Sequence, residues 1–309
     1  MEMRKLEVFC KVVELKNFTR AAEAVLLSQP TVSEHIRSLE EELDQKLVDR
    51  LGRKAEPTPV GRILYKYAVR MLRLHREAVE SVEQYGGRLV GRIMIGSGTI
   101  PGTYILPRLI AQFRKQYSSI HATLRISGSQ VIATEVLGGK LDLGVVGARW
   151  SEKGLEWRKV FSDRLALVVS VEHPWADRKE VSLHELEEEP FILRENGSGT
   201  RKVIGQILEN NGMSPSALQE VAEIGSTAAI KEAVRTGIGI SILSVKSVEQ
   251  EVGCGMLVTI PIKGIKLERP FYLIRRKNRE LSPVAAVFWE YLVQEDRGSG
   301  SGIVKENTW

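Results

Sequence analysis

Ser28-Gln29-Pro30-Thr31-Val32-Ser33 sets three hydroxyls, an amide and a proline between two short helical patterns. Proline has no N–H and loses least in the first turn of a helix, so Pro30 reads as a helix start with Ser28 or Gln29 near the cap. From there Val32, Ile36, Leu39 and Leu43 fall on one face of a third helix. Thr31, Ser33, Glu34 and Arg37 fall on the other, with Gln29 at the tip. Short polar side chains at an exposed helix N-terminus suit phosphates and base edges in a major groove. A three-helix bundle with a polar outer face is the plain alternative.

A second set of candidates is small and hydroxylic: Ser97, Thr99 and Thr103, then Ser129 and Gln130, then Thr200 in GSGTR, then Ser226 and Thr227. Each group follows a predicted strand and opens a predicted helix. There, exposed N–H groups and hydroxyls make a site for an anion or carboxylate without a full positive charge. Arg201 could add a charge. Plain helix capping is the competing reading for each hydroxyl, and convergence on one cleft favours a ligand.

These residues need particular elements to position them. Leu6, Phe9, Cys10 and Val13 predict a first helix over 3–15, and Asn17-Phe18-Thr19 caps a second from Arg20 to about Val25. A long proline-free helix runs from Thr58 to Gly86-Gly87. On it Leu64, Ala68, Met71, His75, Ala78 and Val82 repeat as in a coiled-coil seam. Between Arg50 and Arg76 eight basic residues oppose Glu56 alone, a local excess of +7 that points to a polyanion. Gly86-Gly87 and Gly91 read as a hinge.

Beyond the hinge, strands and helices alternate. Strands are predicted at 92–97, 120–126, 141–146, 165–171, 190–193, 220–224, 238–243 and 270–275. Helices are predicted at 103–116, 130–138, 201–211, 227–236 and 283–294. Such alternation means α/β lobes with largely parallel sheets.

The 309 residues, 43% of them hydrophobic, suffice for about two domains. Cys10 and Cys254 form no disulfide framework and read as small core hydrophobes. The N-terminal stretch lacks the features of a signal peptide, and no apolar run is long enough to span a membrane. The expected location is therefore cytoplasmic. The five histidines lie scattered, so no catalytic group, metal site or cofactor is expected.

The stretch NFTRAAEAVLLSQPTVSEHIRSLEEEL, followed by KLVDRLGRKAEPTPVGRILYKYA, resembles the N-terminal domain of LysR-type transcriptional regulators. GRIMIGSGTIPGTYILPRLIAQFRKQY, GGKLDLGVVG, GSGTR and VRTGIGISIL resemble that family's effector domain, built like a type 2 periplasmic solute receptor. The resemblance implies a winged helix-turn-helix over 1–57, with a wing from Leu47 to Pro59 that carries Arg50, Arg53 and Lys54 to DNA. It implies a linker and dimerisation helix over 58–88. A two-lobed α/β effector domain follows over 89–296, with lobe I at 91–161 and 268–295 and lobe II at 162–267, and then a disordered tail at 297–309. Glu34 departs from the family, which often has a basic or amide side chain there. The expected partners are double-stranded DNA, a small-molecule effector and a second copy joined through the linker helix, with a homotetramer as the larger alternative. The expected function is a non-enzymatic, ligand-responsive transcriptional regulator. The runner-up is a solute-binding receptor-like protein.

Overall fold

The structure is a computed structural model, and it describes residues 1–51, 54–85 and 89–299. Two compact units emerge. The first holds helices α1 (Met3–Leu15), α2 (Phe18–Val25) and α3 (Gln29–Leu43), a hairpin of β1 (Val48–Leu51) and β2 (Lys54–Pro57), and α4 (Pro59–Tyr85).

Capping sets the helix starts. The Asn17 side chain accepts from the Arg20 N–H at 3.0 Å, and α2 begins two residues before the predicted start. Ser28 accepts from the Thr31 N–H at 3.3 Å, with Pro30 in the first turn of α3. The core gathers Leu6, Phe9, Val12, Ala21, Val25, Val32, Ile36, Leu39, Leu47 and Ala68. Leu43 is exposed, contrary to expectation, and Glu40 takes the inward place at the end of α3.

The predicted seam on α4 is also corrected. Ala68 is fully buried in this unit's own core, with Leu64 and Met71 packed beside it. Exposed apolar residues of α4 off the predicted seam include Ile63, Tyr67 and Leu74, and Val82 of the seam itself is exposed. His75 is exposed as well.

The second unit is built from β3 (Gly91–Ser97), α5 (Thr99–Tyr104), α6 (Leu106–Gln116), β4 (Ile120–Ile126), α7 (Ser129–Gly138) and β5 (Leu143–Val146). The chain then enters β6 (Leu155–Ser170), β7 (Pro190–Arg194), α8 (Gly199–Asn210), β8 (Gln219–Ile224), α9 (Thr227–Arg235) and β9 (Ser241–Ser244). It closes with α10 (Val245–Gly253), β10 (Leu257–Ile260), β11 (Glu268–Arg276) and α11 (Pro283–Ser299).

Among the named strands, parallel pairing joins β3 with β4, β3 with β5, and β7 with β8, with isolated parallel bridges at Val181–Ile262 and Phe191–Ile240. β6 pairs antiparallel with β9, β10 and β11, so the sheets are mixed rather than largely parallel. β6 was expected only from Leu165. Its earlier half pairs with β11 on the side of β3 to β5, and its later half pairs with β9 and β10. One strand therefore serves both lobes.

Each lobe has its own core. Phe113, Phe271 and Phe288 anchor the first, and Leu167, Trp175, Phe191 and Ile242 the second. The predicted helix 103–116 is two helices. Pro107 has no N–H to donate to the Thr103 carbonyl, so α5 ends at Tyr104 and α6 starts afresh at Leu106. The last helix runs to Ser299, into the segment predicted to be disordered, and 300–309 lie outside the described residues. Gly86-Gly87 of the predicted hinge lie outside them too, and Gly91 opens β3.

Candidate nucleic-acid interface and effector cleft

In the first unit, α3 presents Gln29, Pro30, Thr31, Glu34 and Arg37 to solvent, with Ser33 half-buried. Their side chains are already ordered among themselves. Gln29 donates to Ser33 at 2.8 Å, and the Ser28 and Thr31 hydroxyls meet at 2.7 Å. Glu34 pairs with Arg37 one turn on at 2.9 Å, so the acid on this face orients the arginine. Between α3 and the hairpin lies a groove of about 700 Å³, lined by Gln29, Ser33, Arg37, Lys46 and Asp49 among others.

Glu40 fixes the hairpin against α3. Its carboxylate accepts from the Leu47 and Val48 N–H groups at 2.9 and 3.2 Å and from Lys46 at 2.8 Å. Burial alone would raise this carboxyl. The hydrogen bonds from Lys46, Leu47 and Val48, with the charge of Lys46, outweigh it and hold the carboxyl below its ordinary value. The Ala55 N–H donates to the Lys16 carbonyl at 2.9 Å and ties β2 to α1. Lys54 is exposed on β2. Arg50 lies on β1 with its side chain outside the described part, and Arg53 lies outside the described residues.

In the second unit the hydroxyl candidates divide. Thr99, Ser129 and Thr200 line one small cavity with Gly98, Ser127, Gly147, Ser198, Arg194 and Arg269. It measures about 10 Å³, room for about one water. The first lobe contributes the β3–α5 turn, the start of α7 and Gly147, and the second contributes the start of α8. α7 and α8 thus aim their N-terminal N–H groups at the same space.

The other candidates lie apart from the cavity wall. Ser97 is fully buried, and its hydroxyl donates to the Gly98 and Val145 carbonyls at 2.9 and 3.3 Å. Thr103 is exposed inside α5, because that helix starts at Thr99 rather than at 103. The Gln130 N–H donates to the Gly197 carbonyl at 3.2 Å, a bond between the lobes. Ser226 is the exposed N-cap of α9, accepting from the Ala229 N–H at 3.4 Å. Thr227 is buried and accepts from Arg194 at 2.8 Å. Arg201 pairs with Glu223 and Glu220 of β8 at 2.5 and 3.3 Å.

Sequence reasoning missed the two cations. Arg194 is 4% exposed and Arg269 2%. Arg194 closes an otherwise apolar strand, Pro190 to Leu193, immediately before the glycine–serine turn. A charge ending a buried strand at a turn was the available signal. Arg269 lies inside β11, where nothing local distinguishes it. It donates through Nη1 to Thr200 at 2.8 Å and through Nε and Nη2 to Asp163 at 2.9 and 2.8 Å. Burial lowers its pKa, and the charge of Asp163 opposes that shift.

Known proteins share both units. Residues 3–62 match the model of the bacterial regulatory helix-turn-helix protein, lysR family, and 86–297 match that of the LysR substrate binding domain. The HTH-type transcriptional regulator CysL of Bacillus subtilis (strain 168) is 33% identical over 282 residues, 89% of this chain and 93% of its own. Full-length CbnR, solved in complex with its target DNA, superposes with a TM-score of 0.69 at 22% identity, covering 95% of this chain and 99% of that one. The Synechocystis PCC6803 CcmR regulatory domain, solved in complex with 2-PG, gives a TM-score of 0.61 at 26% identity, over 67% of this chain and 97% of that one. Among the described residues no helix is long and apolar enough to cross a membrane. With a helix-turn-helix head and a two-lobed substrate-binding unit both matched, this chain belongs to the LysR family of transcriptional regulators.

Proposed function

We propose that the chain is a cytoplasmic, non-enzymatic regulator that binds duplex DNA as a homodimer and senses a small anion or carboxylate in the inter-lobe cleft. The observation that carries the ligand class is Arg194, a cation buried beside Thr99 and Thr227 at a cavity that also holds Ser129 and Thr200. A buried guanidinium with hydroxyls around it binds carboxylate or phosphate by charge-assisted hydrogen bonds. The N-termini of α7 and α8 add partial positive charge at the same place. A cavity of about 10 Å³ holds no such ligand, so binding requires the lobes to move. Relatives support the class of mechanism, since the CcmR regulatory domain is in complex with 2-PG and CbnR with its target DNA.

On the DNA side, Gln29, Thr31, Ser33 and Arg37 are the base-reading candidates, with Glu34 holding Arg37 and Pro30 setting the helix start. Arg50, Arg53 and Lys54 are the backbone contacts. A dimer carries two such helices and demands matched half-sites.

The test is a thermal-shift panel on the full-length protein, pairing carboxylates and inorganic anions with uncharged analogues of the same shape. An anion that stabilises by mass action, is recovered unchanged, and alters the footprint on operator DNA is the expected result. Equal stabilisation by the uncharged analogues overturns the anion reading. Consumption of the ligand overturns the sensor reading.

A further inference from the structure

We propose that Glu195 is a built-in substitute for the effector's anionic group, and that the effector enters by displacing it from Arg194. The proposal rests on the cleft being the effector site.

The hydrogen-bond count on Arg194 is the starting point. A guanidinium has five N–H donors. The Nε donor goes to Glu195 Oε2 at 2.7 Å, and one Nη2 donor goes to Glu195 Oε1 at 2.8 Å. The other Nη2 donor is shared between the Gly225 carbonyl at 3.1 Å and the Thr99 hydroxyl at 3.4 Å. One Nη1 donor goes to Thr227 at 2.8 Å. A single Nη1 hydrogen is left uncommitted among the described residues.

The edge that Glu195 occupies, Nε with Nη2, grips a carboxylate or phosphate with two parallel bonds. An incoming anion therefore has no two-bond edge to use until Glu195 leaves. Charge points the same way. Arg194 is balanced by Glu195, and Arg269 by Asp163, so these two pairs leave no net charge for an anion at the cavity. Removing Glu195 alone turns the site net positive.

Glu195 has a way out that Asp163 lacks. Its side chain is 28% exposed, whereas that of Asp163 is fully buried and also accepts from Ser244. Its carboxylate sits between two glycines, one in each lobe. A Cβ placed on Gly128 would lie 4.0 Å from Oε1, and one on Gly225 3.9 Å from Oε2. The carboxylate thus stands at the mouth between the lobes, while Arg194 behind it reaches across to Thr99. An uncharged ligand offers the guanidinium too little to expel a carboxylate. An anion trades one charge-assisted pair for another, so Glu195 selects for anionic effectors.

Isothermal titration of the full-length protein with inorganic phosphate, and separately with sulfate, at constant ionic strength made up with chloride, tests this. The variants are Glu195→Gln, Glu195→Ala, Arg194→Gln and the double variant Arg194→Gln/Glu195→Gln. Thermal midpoints are recorded first, and Arg194→Met replaces Arg194→Gln, alone and in the double variant, if the latter does not fold. Both Glu195 variants are expected to bind phosphate at least tenfold more tightly than the unaltered chain, with no gain in the double variant. If the unaltered chain binds, Arg194→Gln abolishes binding and the Glu195 variants bind equally or more weakly, displacement is overturned while the cleft reading stands. A gain that survives in the double variant places the anion elsewhere and overturns both. Absence of binding in every variant also overturns both.

Discussion

Arg269 and Asp163 face each other as cross-strand partners on β11 and β6, joined by two hydrogen bonds of 2.8 and 2.9 Å to one carboxylate oxygen, with both side chains buried. The pair sits where β6 passes from the first lobe to the second. Arg269 donates to Thr200 of α8 as well, so this pair ties the strand that serves both lobes to the cavity wall. A buried ion pair adds little against a well-packed apolar pair, yet losing one partner leaves an uncompensated charge. Asp163→Ala is therefore expected to cost about 3–5 kcal/mol. Urea unfolding followed by tryptophan fluorescence checks it, and a loss under 1 kcal/mol would show that water repairs the site.

Gly199 allows the lobes to meet. A Cβ there would lie 2.7 Å from the Ser129 hydroxyl and 3.0 Å from the Gly147 backbone. Gly199→Ala is expected to hold the lobes apart and to cost about 1–3 kcal/mol, as overpacking does. Gly205→Ala on the same helix meets only Pro215, at 3.5 Å, and should stabilise by about 0.5–1 kcal/mol through helix propensity. Thermal midpoints of the two variants moving together would refute the steric account.

Glu40 predicts an acid-sensitive hairpin. Its folded carboxyl lies below the unfolded value of about 4.3, because Lys46, Leu47 and Val48 outweigh burial. A depressed carboxyl adds stability that is present above the unfolded value and is lost as pH falls through the folded one. Hydrogen-exchange protection of segment 45–49, taken relative to the intrinsic rate at each pH, should therefore fall on acidification below about pH 4.3. Glu40→Gln should exchange faster at neutral pH and depend less on acid. Identical pH profiles would remove Glu40 from the account.

Base readers and backbone contacts separate by salt. Lys54→Ala should weaken all duplexes alike and reduce the slope of log affinity against log salt by about 0.9, as loss of one phosphate contact does. Thr31→Ala and Ser33→Ala should instead change which sequence is preferred. Fluorescence anisotropy across salt and operator variants distinguishes them. A sequence-selective effect of Lys54→Ala would reverse the assignment.

Self-association should follow the exposed stripe on α4 and not the residues buried in its own core. Leu74 is 62% exposed, whereas Ala68 is fully buried. Leu74→Glu should yield a monomer in sedimentation analysis with the helix-turn-helix head still folded. An unchanged dimer would place the interface elsewhere.

Local signals in the sequence were enough for the head. Caps at Asn17 and Ser28, the placement of Pro30 and the helical spacing of Leu6, Phe9, Val32, Ile36 and Leu39 specify α1 to α3, because each depends on neighbours within a turn or two. The α/β alternation of the second unit, and Thr99, Ser129 and Thr200 as residues at helix starts, were legible for the same reason. Periodicity could not tell which stripe of α4 the head itself buries, since Leu64–Ala68 and Ile63–Tyr67 both repeat at helical spacing. Nor could it show that β6 serves two lobes or that β11 pairs with it antiparallel, because pairing joins residues a hundred positions apart. The charges of the cleft belong to that second kind of information. Arg194 and Arg269 are 75 positions apart, only Arg194 has a local signal at its strand end, and long-range packing is what buries them against Thr227 and Asp163. Burial and pairing are what give a charge its chemistry, and both are properties of the folded neighbourhood rather than of the residue.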